Sequence, residues 1–254
     1  MVILHPCREV SCNVTTNLLT MKKIFVFIVA CLIQISGFSQ GELKKIQLSN
    51  DIELIQLSDN AYVHVSYSEI LSYGRVASNG LVFIQNGEAF LFDTPTSDSL
   101  TKELLQGLTD SLNVSVVGFV PNHWHSDCMG GLAYLKEKGI KSYANNRTIT
   151  IARSKNLPIP DYGFTDSLQL QLAGKPINCY FPGAAHSTDN IVVWIPSEKI
   201  LFPGCMVKSM GSTNLGNTAD GNVKAYPATI DYLMAKFPDA KIVIPGHGQL
   251  GDLN

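Results

Sequence analysis

The sequence predicts a four-layer α/β fold, in which two mixed sheets pack face to face and helices cover the outside. Helix-forming segments follow strand-forming segments in both halves of the chain, and no low-complexity linker divides it after residue 40. The 254 residues, 45% of them hydrophobic, suffice for the core of one globular domain. Four apolar pairs run into a proline, which is typical of buried strands that end in a turn.

The individual elements follow from hydrophobic runs, residue type and turn signals. The predicted strands span residues 52–57, 61–67, 81–84, 89–92, 114–120, 141–144, 168–172, 177–181, 191–195, 200–202 and 241–244. The predicted helices span residues 99–112, 130–138, 146–154 and 227–237. Asn86-Gly87 indicates a tight hairpin turn. The sequence ends soon after His247, where a further helix would normally cover the last strand, so we expect a C-terminal helix to be missing from it.

The N-terminus has the pattern of an export signal. A basic start at Met21 precedes an apolar run and the small-residue cleavage site at Gly37-Phe38-Ser39. We therefore expect an over-extended start at residues 1–20, a signal peptide at 21–39 and a periplasmic domain at 40–254. The alternative is a lipid anchor on Cys31, but the apolar run continues past Cys31, which favours a soluble exported protein.

Composition also limits the partners. The formal net charge is -2 and there is no basic patch, which argues against nucleic acid. We expect a monomer without stable membrane association. Three cysteines remain after the signal, namely Cys128, Cys179 and Cys205. An odd number in an exported protein does not indicate a disulfide framework.

The strand ends carry residues that bind zinc. Asn122-His123-Trp124-His125 continues into Asp127, and His186, Cys205 and His247 follow the other three proline turns. His123, His125 and His186 form a set of three nitrogen ligands, as in catalytic zinc sites that keep one position open. Asp127, Cys205 and His247 form a second, softer set. The pattern therefore predicts two zinc ions. His64 lies within a strand and is interpreted as a non-ligand, and Trp124 is expected to point into the core.

The stretch Asn122-His123-Trp124-His125-Ser126-Asp127-Cys128-Met129-Gly130-Gly131 resembles the signature of the class B metallo-β-lactamases. The three-His and Asp/Cys/His sets resemble their di-zinc subclass, and the cysteine after the Asp is similar to the broad-spectrum carbapenemases of anaerobic gut bacteria. The resemblance implies the metallo-β-lactamase fold and hydrolysis of penicillins, cephalosporins and carbapenems by a metal-bound hydroxide, which confers antibiotic resistance. Asp127 would orient the hydroxide or relay a proton.

The resemblance assigns three further residues. Lys208 would hold the substrate carboxylate, and Asn217 would be a catalytic oxyanion donor that also contacts the substrate. Tyr73 would lie at the tip of a flap, in the loop 67–77, and contact the substrate. Without the resemblance, Lys208 would be a solvated surface lysine and Asn217 a turn residue. Asp93, at a strand end, is expected either to hydrogen-bond near the metal loops or to start a turn.

Two other functions remain open at this point. One is a zinc hydrolase of the same fold that acts on a lactone or a thioester. The other is a zinc-binding domain without activity. A seryl nucleophile is disfavoured because no Gly-x-Ser-x-Gly or Ser-x-x-Lys unit with supporting motifs appears in the sequence.

Overall fold

The computed structural model describes residues 43–71 and 73–251, which contain thirteen strands and five helices. The expected start segment, signal peptide and Cys31 lie outside this part of the chain. The strands are β1 Lys45–Ser49, β2 Ile52–Ser58, β3 Ala61–Ile70, β4 Gly74–Gln85, β5 Glu88–Phe92, β6 Ser115–Val120, β7 Lys141–Asn145, β8 Tyr162–Phe164, β9 Ser167–Leu172, β10 Lys175–Tyr180, β11 Val192–Ile195, β12 Ile200–Gly204 and β13 Ile242–Pro245. The helices are α1 Asp98–Leu112, α2 Ser126–Met129, α3 Leu132–Glu137, α4 Asn146–Ser154 and α5 Tyr226–Lys236.

The strands form two mixed sheets. The first has eight strands in the order β1 to β8, antiparallel as far as β5 and parallel from β5 to β8. The second has the order β13-β12-β11-β10-β9, and only the β12–β13 pair in it is parallel. Fully buried side chains from both sheets, such as Phe83, Phe92 and Phe202, form the core between them.

Helices cover the outer faces. Leu104 and Leu108 of α1 and Leu135 of α3 pack on the outer face of the first sheet. Leu233 of α5 packs on the outer face of the second sheet, beside Leu201. The layers are therefore helix, sheet, sheet and helix, as the sequence predicts. Within the described residues, no helix is long and apolar enough to cross a bilayer.

Local signals explain the predicted elements. Ser97 begins α1, where its side chain accepts a hydrogen bond from Leu100 N at 3.3 Å, and Asn113 ends the helix in a left-handed conformation. Asn86 and Gly87 both have positive φ, as the predicted tight turn between β4 and β5 requires. Cys128, Cys179 and Cys205 are free and buried, in agreement with the absence of a disulfide framework.

Several expectations about the elements were wrong. β1 and β8 were not predicted, because β1 is a polar edge strand and β8 has only three residues. The predicted helix 130–138 is present as α3 but begins two residues later, because Gly130-Gly131 separates it from the short helix α2, which was not predicted. The segment 67–77 is largely a continuation of β3 and β4 rather than a loop. Pro203 lies within β12, where the pairing with β13 is irregular, as proline in a sheet requires.

Candidate metal centre

The six predicted ligand residues meet where strands from both sheets end. His123 and His125 follow β6, and Asp127 lies in the first turn of α2. His186 follows β10, Cys205 follows β12 and His247 follows β13. Three groups have donor atoms within 4.8 Å of one another: His123, His125 and Asp127; His123, His186 and Cys205; and Asp127, Cys205 and His247. The fold thus brings together all six side chains.

The three imidazoles point ring nitrogens at a common position. His125 Nδ1 lies 2.8 Å from His123 Nε2 and 3.3 Å from His186 Nε2. His125 Nε2 lies 3.0 Å from the Asp220 carboxylate, which can only accept, so Nε2 carries the proton and Nδ1 of the neutral ring offers its lone pair. Nitrogen lone pairs that converge in this way suit a cation, and the residues present therefore fit a metal ion.

The second group surrounds Asp127. His247 Nε2 lies 3.1 Å from Asp127 Oδ2, and the Cys205 thiol donates to the same oxygen at 3.6 Å. On its other side the His247 ring donates from Nδ1 to the Ala77 carbonyl at 2.8 Å, which fixes the ring orientation. One oxygen, one sulfur and one nitrogen donor thus face each other beside the three imidazoles, a mixed set that zinc accepts.

Burial and neighbouring charges set the protonation of these groups. Burial lowers the pKa of His123 well below its ordinary value, and the pKa of His186 to about 4, so both rings are neutral near pH 7. Burial alone would raise the pKa of Asp127, but the hydrogen bond from His247 holds it well below its ordinary value. Burial alone would lower the pKa of His247, whereas hydrogen bonds with Asp127 and Cys205 raise it to about 11. Metal binding at His247 must therefore displace a proton.

Four of the donors, His125, Asp127, His186 and His247, line a cavity of about 590 Å³, whereas His123 and Cys205 are buried and do not line it. Lys208, Asn217 and Tyr73, the three residues expected to contact a substrate, all line it. Lys208 Nζ is half-buried and donates to the Cys205 carbonyl at 2.8 Å, so the lysine is not a freely solvated surface side chain. Asn217 Oδ1 accepts from Ala219 N at 3.1 Å, which leaves its Nδ2 hydrogens as donors toward the cavity. Tyr73 is 72% exposed at the hairpin tip between β3 and β4.

Three other residues have informative positions. Asp93 Oδ1 accepts from the backbone N of Asn122 at 2.5 Å, the contact near the metal loops that the sequence suggested. Trp124 was expected in the core, but it is only half-buried, packs on the outer cluster of the first sheet and lines the cavity. Cys128 is not among the grouped donors, although its Sγ lies 3.2 Å from His123 Nδ1.

Sequence reasoning missed several residues of the site. Asp220 orients His125 from 95 positions away, in a loop with no ligand pattern around it. Leu157 and Pro158 form part of the apolar cavity wall, and Lys155 Nζ lies 4.2 Å from the centre of the Trp124 ring. Only the three-dimensional fold brings Asp220, Leu157 and Pro158 to the cavity.

The αββα layers and the converging donors define a metalloprotein whose metal site opens into a substrate-sized cavity. Residues 73–247 match the model of the metallo-β-lactamase superfamily. The chain is 49% identical to a type 2 metallo-β-lactamase of Bacteroides fragilis over 91% of each chain, and 33% identical to one of Pseudomonas aeruginosa over 91% of this chain and 89% of that protein. A solved metallo-β-lactamase from Pontibacter korlensis is 36% identical, with a TM-score of 0.76 over 79% of this chain and 93% of that one. This chain belongs to the metallo-β-lactamase superfamily.

Proposed function

We propose that this protein hydrolyses the β-lactam ring of antibiotics, carbapenems included, with two zinc ions, and thereby confers resistance. The observation that carries the proposal is that the six metal donors lie together at one cavity. Four of them line it beside Lys208 and Asn217, two groups suited to a β-lactam. The similarity to type 2 metallo-β-lactamases over 91% of the chain supports the same substrate class.

The donor set supports zinc rather than a harder cation. Four imidazoles and a thiol are ligands typical of zinc, whereas magnesium and calcium prefer oxygen. His123, His125 and His186 would hold one ion, and Asp127, Cys205 and His247 the other. Zinc bound there would supply Lewis acidity toward a carbonyl and generate a nucleophile from water near neutral pH.

The protein's own side chains bind and orient the substrate. The Lys208 ammonium lies at the cavity wall, where it would attract the carboxylate common to β-lactam substrates. The Nδ2 hydrogens of Asn217 would donate to the lactam oxygen as charge develops on it. Asp127 is ionised, since its pKa is held low, and its carboxylate would orient the nucleophile or accept a proton. Tyr73 would cover the bound ligand from the hairpin tip.

The direct test is hydrolysis of imipenem by the purified protein, followed by absorbance with and without a chelator. We expect turnover that the chelator abolishes and added zinc restores, with two zinc ions per chain by elemental analysis. A lactone and a thioester, assayed alongside, address the alternative hydrolase. Stoichiometric zinc with cleavage of only those esters would refute β-lactam hydrolysis, and zinc without any turnover would indicate a binding domain. Lys208→Ala removes the positive charge at the cavity wall, and Lys208→Arg, which keeps it, is the matched control for that variant.

The location and assembly belong to the same proposal. The signal-like residues 21–39 support export to the periplasm, and the net charge of -2 argues against a nucleic-acid partner. We propose that the exported protein is a soluble monomer. Cell fractionation, N-terminal sequencing of the mature protein and light scattering test this. Labelling of the protein by a radioactive fatty acid would instead establish a lipid anchor at Cys31.

A further inference from the structure

His64 is a buried histidine that the proposed reaction does not use. It lies in the middle of β3, with 1% of its surface exposed. Its Nε2–H donates to the carbonyl oxygen of Asp93 at 3.0 Å, because a carbonyl can only accept. To reach that carbonyl, the ring passes over Gly80 on the neighbouring strand. A Cβ atom at Gly80 would lie 2.0 Å from His64 Nε2, so the contact requires glycine there.

Stability alone does not explain this histidine. Its Nδ1 is buried and has no hydrogen-bond partner among the described residues. A buried acceptor without a partner lowers the stability of the folded state. An apolar side chain of similar size would avoid that cost. The hydrogen bond to Asp93 is therefore the feature that distinguishes His64 from such a side chain.

Asp93 is held on three sides. Its φ of 60° is left-handed, a conformation that residues with a side chain rarely adopt. Its N–H donates to the Val120 carbonyl at 3.2 Å, its carbonyl accepts from His64, and its side-chain Oδ1 accepts from Asn122 N at 2.5 Å. The hydrogen bond from His64 fixes the direction of the Asp93 carbonyl. The backbone torsion angles of Asp93 are thereby fixed as well, and they bring its side chain within hydrogen-bonding distance of Asn122 N.

Asn122 passes this constraint to the metal ligands of both sheets. It directly precedes His123. Its Nδ2 donates to the Ile191 carbonyl at 2.6 Å, and its own carbonyl accepts from Ile191 N at 2.9 Å, which ties it to the loop that carries His186. Its side chain also packs against Gly204, the residue before Cys205.

We propose that His64 is a positioning residue, which sets the geometry of the metal ligands through the chain of contacts His64–Asp93–Asn122. The inference rests on the proposed metal site, but it does not depend on the substrate. Its readout is metal affinity and ligand geometry, not turnover.

The test compares zinc affinity, by competition with a chelator, in the wild type and in the variants His64→Leu, His64→Gln and His64→Asn. The glutamine amide nitrogen reaches toward the position of Nε2, whereas that of asparagine lies near Nδ1 and cannot reach Asp93. We expect roughly 10- to 100-fold weaker zinc binding in His64→Leu and His64→Asn, the range typical of lost contacts behind metal ligands, and recovery to within a few-fold in His64→Gln. The visible spectrum of the cobalt-substituted protein should shift in the same two variants.

Ser66 offers a matched control. It is buried on the same face of β3, two residues further on, and its hydroxyl has no partner among the described residues. Ser66→Ala should leave zinc affinity and the cobalt spectrum unchanged. Unchanged affinity in His64→Leu would overturn the proposal. If that variant fails to fold, equal affinities of the Gln and Asn variants would overturn it instead. A wild type that binds metal without cleaving a β-lactam would refute only the proposed function and leave this comparison valid.

Discussion

Acidification should destabilise the metal-free wild type relative to His64→Leu. Burial lowers the pKa of His64 to about 4 from its ordinary value of 6.5. Between these two values the unfolded chain binds a proton at His64 that the folded protein does not bind, so stability falls as the pH falls through this window. The shift of the His64 pKa corresponds to a loss of about 3 kcal/mol of folding stability across this window, at about 1.4 kcal/mol per pH unit. Leucine does not titrate, so the His64→Leu variant does not lose this stability at low pH.

The assay is urea unfolding of both proteins in chelator at several pH values from 7 to 4. Titrating groups that do not contact His64 are present in both proteins, so their contributions cancel in the difference. The free energy of unfolding of His64→Leu minus that of the wild type should increase by about 1 kcal/mol per pH unit as the pH falls from 6 to 5. The free energy of unfolding of Ser66→Ala should depend on pH in the same way as that of the wild type. Parallel curves for His64→Leu and the wild type would show that His64 is not held neutral by burial.

Three further predictions concern the site and the core. Asp220→Asn should weaken zinc binding by roughly 10-fold or more, because the carboxylate that orients His125 is lost; chelator competition measures this, and unchanged affinity would contradict it. Lys208→Ala should raise KM for imipenem by roughly 10- to 100-fold with little change in kcat, as the loss of one charged hydrogen bond predicts, whereas Lys208→Arg should raise it less; a fall in kcat alone would argue against carboxylate binding. Phe202→Ala should lower the free energy of unfolding by about 3–5 kcal/mol in urea, since Phe202 is fully buried between the sheets; Phe202→Leu is its milder control, and a loss below about 1 kcal/mol would contradict the packing.

The sequence was sufficient to predict the layers and the converging donors, because both depend on local signals. Proline turns mark the strand ends, and residues beyond the ends of neighbouring strands meet at one sheet edge. Asp93 could be placed near the metal loops for the same reason. The edge strand β1 escaped prediction because it is half polar, and the outer part of the β3–β4 hairpin because Ser, Glu, Gly and Arg interrupt its strand-forming residues.

Contacts between residues far apart in the chain left no pattern in the sequence. Asp220 and His125 are 95 residues apart, and nothing near Asp220 indicates an imidazole partner. His64 was interpreted only as a non-ligand, because its contact with Asp93 depends on the register of three strands and on the open space over Gly80. Such contacts are set by tertiary packing, which single-residue signals do not encode.

The two sheets contribute equally to the donor cluster, and this couples metal binding to their packing. His123, His125 and Asp127 follow the first sheet, whereas His186, Cys205 and His247 follow the second. The donor distances therefore depend on the spacing that the phenylalanine-rich core maintains between the sheets, and Asn122 links the two sides directly through Ile191. A metal ion that binds only the folded arrangement stabilises it by mass action. A bound ion would thus stabilise the packing of the two sheets against each other. A substitution that leaves a cavity in the core between the sheets should therefore weaken metal binding as well as folding.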